Sequence, residues 1–200
     1  LAGALAFRLF VWLAAFVVVI VAVLGFIDAA GGDAASALSE GGITAIAAGQ
    51  RDFGENKVQE ALAKIEAIPD AGVRWHLIGH LQSNKARKVA RPFDVIHSVD
   101  SIDLLRRIDA AAPESHRTPA LLVQVDLAGE DTKFGAALAD ARSIVDAARD
   151  LKAARLVGLM TLPPYFDDPE ATRPYFARLR AFRDDLVAAG DIVLEHAGRT

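Results

Sequence analysis

From Gln50 onward the chain alternates short apolar runs with amphipathic stretches. Arg51–Gly54 reads as a strand end, and Trp75–Ile78 and Val95–Val99 as strands. Ala120–Leu127 is an apolar strand interrupted only by Gln124 and Asp126, and Leu156–Leu162 is another, stopped by Pro163-Pro164. Between them, Val58, Ala61, Leu62 and Ile65 recur at helical spacing, so Val58–Ile68 predicts a helix, ended by the turn Pro69-Asp70-Ala71-Gly72. Asn84–Ala90 predicts a short basic helix, broken by Pro92. Ser101 is a good N-cap for a helix over Ile102–Ala112. Ala136–Lys152 predicts a long helix, and Pro169–Ala189 one that places Phe176, Leu179, Phe182 and Leu186 on one face. Asp191–Leu194 starts one more strand.

Strands alternating with helices predict βα units on a parallel sheet, and near-continuous apolar strands suit a sheet buried on both faces. No Gly-rich dinucleotide fingerprint follows the first strand, so the fold class is α/β with a (β/α)8 TIM-type barrel favoured over a doubly wound sheet. Six strands fall short of the eight that close such a barrel, so the barrel is expected to be incomplete. Residues 1–42 stand apart from this pattern, which gives a division into 1–42 and a barrel domain over 43–200. Leu9 to Ile27 is an uncharged run, LFVWLAAFVVVIVAVLGFI. At about 1.5 Å per residue it nearly spans a hydrocarbon core of about 30 Å. Three readings stand for it: a membrane helix over residues 9–27, a signal peptide with Arg8 as its weak basic flank, and a buried core segment.

Composition narrows the function. Of 200 residues, 52% are hydrophobic, enough for a large core, and 22 basic against 26 acidic residues leave a net charge of −4. Without a basic block, nucleic acid is not an expected partner. The absence of Cys excludes disulfides and thiolate metal sites and fits a cytoplasmic protein. The five His residues lie on separate elements with no ligand spacing, so no metal site is expected. No Ser-His-Asp order and no GxSxG motif occurs, and no catalytic residue is assigned.

The chemistry concentrates where strands end, the edge at which βα barrels hold ligands. Glu55 and Asn56 follow one strand, and His80-Leu81-Gln82-Ser83-Asn84-Lys85 follows the next. Asn56 either binds a ligand or caps the next helix. His76 either hydrogen-bonds a ligand inside the barrel or is a buried His satisfied by a neighbour. His80-Leu81-Gln82-Ser83 is a helix-capping loop or part of the site. Lys133, in the charged loop Gly129–Gly135, either attracts an anion such as phosphate or is a solvated surface Lys. Met160 ends its strand and either packs on a flat ring or fills the core.

Taken together, the segments AAGQRDFGENKVQEALAKI, WHLIGHLQSNKARKVA, FDVIHSVDSIDLL, LLVQVDLAGEDTKFG and LVGLMTLPP resemble the pyridoxal phosphate homeostasis protein family over about Ile43 to Ala189. The resemblance implies a single barrel like the N-terminal domain of alanine racemase. It implies pyridoxal 5′-phosphate as cofactor, held as a Schiff base to a Lys at the end of the first strand, and a non-catalytic role in storing the cofactor or delivering it to apo-enzymes. Asn56, His76, Met160 and Lys133 would line or guard the pocket. Racemase activity is not expected, because a second acid/base from another domain is missing. The chain departs from the family at both ends. In the register of the Schiff-base Lys it has Asp33-Ala34-Ala35-Ser36-Ala37, and no Lys precedes Lys57. Asp191–Thr200 stands where the resemblance implies a last strand and phosphate loop. Reading-frame shifts at both junctions would produce this pattern. The expectation is weakened or absent covalent binding, with a membrane-anchored, cofactor-free binding module as the alternative.

Overall fold

A computed structural model describes residues 45–67, 72–115, 118–129 and 134–191. The apolar run at 9–27, Lys133 and Ile192–Leu194 lie outside them, so the expectations placed there concern undescribed residues. Among the described residues no helix is long and apolar enough to cross a membrane.

The chain divides into two compact units, Leu1–Ile78 and Gly79–Thr200. In the first, β1 (Asp52–Glu55) pairs in parallel with β2 (Arg74–Leu77), and α1 (Val58–Ala67) connects them. Helix α1 turns Val58 and Ala61 inward and leaves Gln59, Glu60 and Glu66 exposed, the division an amphipathic helix needs. Trp75 and Leu77 are buried while Arg74 is exposed, and Phe53 packs tilted on Trp75 with centroids 5.5 Å apart.

The second unit carries the larger core. A 3-10 turn (Ser83–Lys85) leads into the short α2 (Ala86–Val89), then β3 (Val95–Val99), α3 (Ile102–Ala111), β4 (Ala120–Gln124), α4 (Leu138–Ala147), β5 (Arg155–Met160) and α5 (Arg173–Ala188). Strand β4 pairs in parallel with both β3 and β5. Parallel strands joined by helices bury both faces, which is why Ile96, Val99, Leu121 and Val123 are wholly buried. Ser101 caps α3 as its sequence predicts, its Oγ accepting the Leu104 N–H at 3.3 Å.

Element boundaries shift where loops capture backbone groups. Strand β4 ends at Gln124 rather than Leu127, because the Ala136 N–H donates to the Gln124 carbonyl and the Asp126 N–H to the Ala136 carbonyl. The same bonds hold Ala136 outside the helix, so α4 starts at Leu138. Strand β5 stops at Met160, and the helix expected from Pro169 opens with a 3-10 turn over Pro169–Thr172, where Asp168 accepts the Glu170 N–H. Five strands are described, too few to close an eight-stranded barrel.

Candidate functional site

In the first unit, the polar residues are largely committed to one another. The Asp52 carboxylate, at the start of β1, meets Arg74 Nε at 2.8 Å and His76 Nε2 at 3.0 Å. Burial pushes the Asp52 carboxyl up, but hydrogen bonds from Arg74 and His76 and their charges outweigh it and hold it below the usual carboxylate range. His76 is thus a His satisfied by a neighbour, drawn toward the N-terminal ends of the strands. At the other end, Glu55 is buried, and Lys64 Nζ donates to both its oxygens at 2.8 and 3.0 Å. Asn56 follows β1 and is exposed at the strand's C-terminal end.

In the second unit, the segments that follow successive strands form an ordered rim. Gln124 Nε2 donates to the Phe134 carbonyl at 2.7 Å. Asp126 Oδ1 accepts the N–H groups of Ala128 and Gly129. Gly135 closes the loop at φ 136°, and a Cβ there would stand 2.8 Å from the Asp126 nitrogen, so only glycine fits. This staple presents the Phe134 ring flat on the His80 imidazole, with centroids 3.6 Å apart and planes 8° from parallel. His80 Nδ1 lies 3.6 Å from Asp100 Oδ2, at the end of β3. Burial raises the Asp100 carboxyl above its ordinary value, partly countered by the His80 charge.

Behind the rim, Met160 ends β5 half-buried and in register with the buried Gln124. Thr161 Oγ1 donates to the Val125 carbonyl at 2.8 Å, tying the end of β5 to the end of β4. Arg178, on α5, donates to the Leu127 carbonyl at 3.3 Å. Ser98, on β3, is fully buried, and its Oγ has no hydrogen-bond partner among the described residues. Such a hydroxyl costs about 1–3 kcal/mol unless something satisfies it. Among the described residues no group of His, Asp and Glu is arranged to hold a metal ion.

Of the residues singled out from sequence, Asn56 and Met160 stand at strand ends as expected, and His76 is held by Asp52. The sequence reading missed the His80–Phe134–Asp100 arrangement. Its one signal was an aromatic residue in an otherwise charged loop, directly before a glycine.

A family profile described as "Alanine racemase, N-terminal domain" matches residues 33–199. The pyridoxal phosphate homeostasis protein of Aquifex aeolicus is 37% identical over 148 residues, 74% of this chain. The chain spans 65% of that relative's length. The solved structure of PipY from Synechococcus elongatus, determined both without and with PLP bound, is 41% identical, with a TM-score of 0.69 over 78% of this chain. It is covered to 74% in the first form and 73% in the second. Alanine racemase from Clostridium difficile, at 14% identity and a TM-score of 0.59 over 72% of this chain and 37% of its own, shares the fold alone. The fold is therefore α/β of the TIM-barrel type, incomplete over the described strands. The chain belongs to the alanine racemase N-terminal domain family, and within it is similar to proteins named pyridoxal phosphate homeostasis protein.

Proposed function

We propose that this chain binds pyridoxal 5′-phosphate reversibly and serves cofactor homeostasis, as a carrier or buffer that delivers to apo-enzymes, without catalysing a reaction of its own. The observation that carries this reading is its 41% identity to PipY, whose structure was solved with PLP bound. The bound group would supply an electrophilic aldehyde and a phosphate. Asn56 and Met160 are the candidates to contact it, Asn56 as a hydrogen-bonding amide and Met160 as a soft surface for a flat ring. Lys133 is a further candidate, as a cation for the phosphate. His76, whose ring is held by Asp52 at the start of β1, is not among these contact candidates.

The amines of the described residues fit covalent capture poorly. Imine formation needs an uncharged amine in a partly desolvated place. Lys57 is 73% exposed and bonds Glu60 at 2.7 Å, and Lys64 is clamped by Glu55. Lys88 and Lys152 are exposed. Lys85 is the one half-buried lysine that no acidic side chain holds among the described residues. No Lys precedes Lys57 in the sequence. For the described lysines the expected mode is therefore non-covalent.

Delivery is tested by hand-over. The purified chain, loaded with pyridoxal 5′-phosphate and gel-filtered, is mixed with an apo-enzyme that needs it. Recovery of that enzyme's activity in proportion to carrier supports the reading. No cofactor retained at any loading concentration up to millimolar contradicts it.

A further inference from the structure

We propose that His80 is an oxyanion-binding residue, whose imidazole ring is braced by Phe134 and Asp100 and presents its Nε2–H to a phosphate or carboxylate oxygen of a small ligand. All three residues belong to the second unit, and each follows a strand or ends a loop on the ligand-bearing edge. Phe134 covers one face of the imidazole at 3.6 Å, and Asp100 Oδ2 stands 3.6 Å from Nδ1. A carboxylate beside one nitrogen and an aromatic face under the ring fix how the imidazole sits. The opposite nitrogen, Nε2, has no hydrogen-bond partner among the described residues. The His80 side chain is 28% exposed, so an Nε2–H is reachable yet partly desolvated, where a hydrogen bond is stronger than in water.

The arrangement is built rather than incidental. Phe134 is 55% exposed, so burial of its ring does not explain its position. The loop staple does: Gln124 fixes its carbonyl, and Gly135 adopts a conformation that other residues rarely enter. A ring already immobilised loses little freedom on binding, which favours affinity. Asp100 stands beside Nδ1, on the other side of the ring from the proposed donor. The donor selects oxyanions over cations. The inference needs no pyridoxal group, and inorganic phosphate is a sufficient probe.

The experiment is a two-bond 1H–15N imidazole spectrum of the full chain, titrated with inorganic phosphate at constant pH. The expected result is a saturable shift of one imidazole, absent from His80→Gln. Phe134→Leu and Asp100→Asn, checked for folding by circular dichroism, should each weaken phosphate binding, Phe134→Leu by about tenfold. If pyridoxal 5′-phosphate moves the same peaks and pyridoxal does not, the oxyanion is the phosphate of that ligand. If inorganic phosphate moves them and pyridoxal 5′-phosphate does not, it is a free oxyanion. The inference is overturned if the His80 peaks stay fixed, or drift without saturation and equally in Phe134→Leu. Equal binding of pyridoxal 5′-phosphate to the parent chain and His80→Gln, with no His80 shift, overturns this inference and leaves the proposed function standing.

Discussion

The β3–α3 and β5–α5 regions of the second unit have the same ingredients and opposite degrees of completion. Helix α3 buries Leu104, Leu105 and Ile108 to 0% exposure, and beside it Ile96, Ser98 and Val99 of β3 are equally sealed. On the other side, Val157 of β5 is 46% exposed and Leu162 beyond it 58%. Helix α5 buries Phe182 and Leu186 in its C-terminal half, while Phe176 in its first half is 37% exposed. Both helices display apolar residues at helical spacing, so spacing alone does not decide burial. Completion depends on neighbours: α3 packs against both α2 and α4, whereas β5 has β4 as its one strand partner among the described residues. An open strand edge carrying apolar side chains is a place where chains associate.

This contrast is open to mutation. The largest effect is expected at Ile108→Ala, where a sealed site cannot relax around the loss: about 2–5 kcal/mol by urea denaturation. A smaller value would mean that α3 is not the finished layer its burial suggests. Next comes Gly135→Ala, which forces a Cβ to within 2.8 Å of the Asp126 nitrogen at a positive φ. About 1–3 kcal/mol is expected, with loss of the upfield ring-current shift on His80.

Asp109 links the two regions, because its carboxylate on α3 accepts the N–H groups of Lys152, Ala153 and Ala154 just before β5. Burial pushes its carboxyl up, but those three hydrogen bonds prevail and the net displacement is downward. A carboxyl lowered by folding contributes stability above its unfolded value, and that contribution is lost as pH falls through the folded one. Asp109→Asn should therefore cost about 1 kcal/mol at neutral pH, and its gap to the parent chain should close in acid. A gap independent of pH would show that the charge is irrelevant. Smallest of all, Phe176→Ala should change stability by about 0.5 kcal/mol or less, since little is buried there. A loss as large as that at Ile108 would mean the comparison is false.

The finished region was the more legible one. Val95–Val99 and the Ser101 cap are local facts: an apolar strand and a hydroxyl acceptor leave their marks within a few residues. The ends of β4 and α4 were not legible, because Ala136 exchanges hydrogen bonds with Gln124 and Asp126, and no local rule places those partners together. The site divides in the same way. The strand-end positions of Asn56 and Met160 were legible because strand ends can be read from pattern. His76 kept two readings until Asp52 was seen at 3.0 Å. His80 kept two readings, capping loop or part of the site, because its partners, Asp100 and Phe134, arrive from later segments of the chain. Family resemblance supplied the cofactor, which no single residue in this sequence specifies.

The central claim is reversible, non-covalent binding of pyridoxal 5′-phosphate. It is tested most directly by titrating the purified chain with the cofactor, following absorbance, then reducing with borohydride and weighing the intact protein. The expected result is saturable binding that dialysis reverses, with no mass gain after reduction. No saturable binding would contradict the account, and so would a stoichiometric adduct on any one lysine.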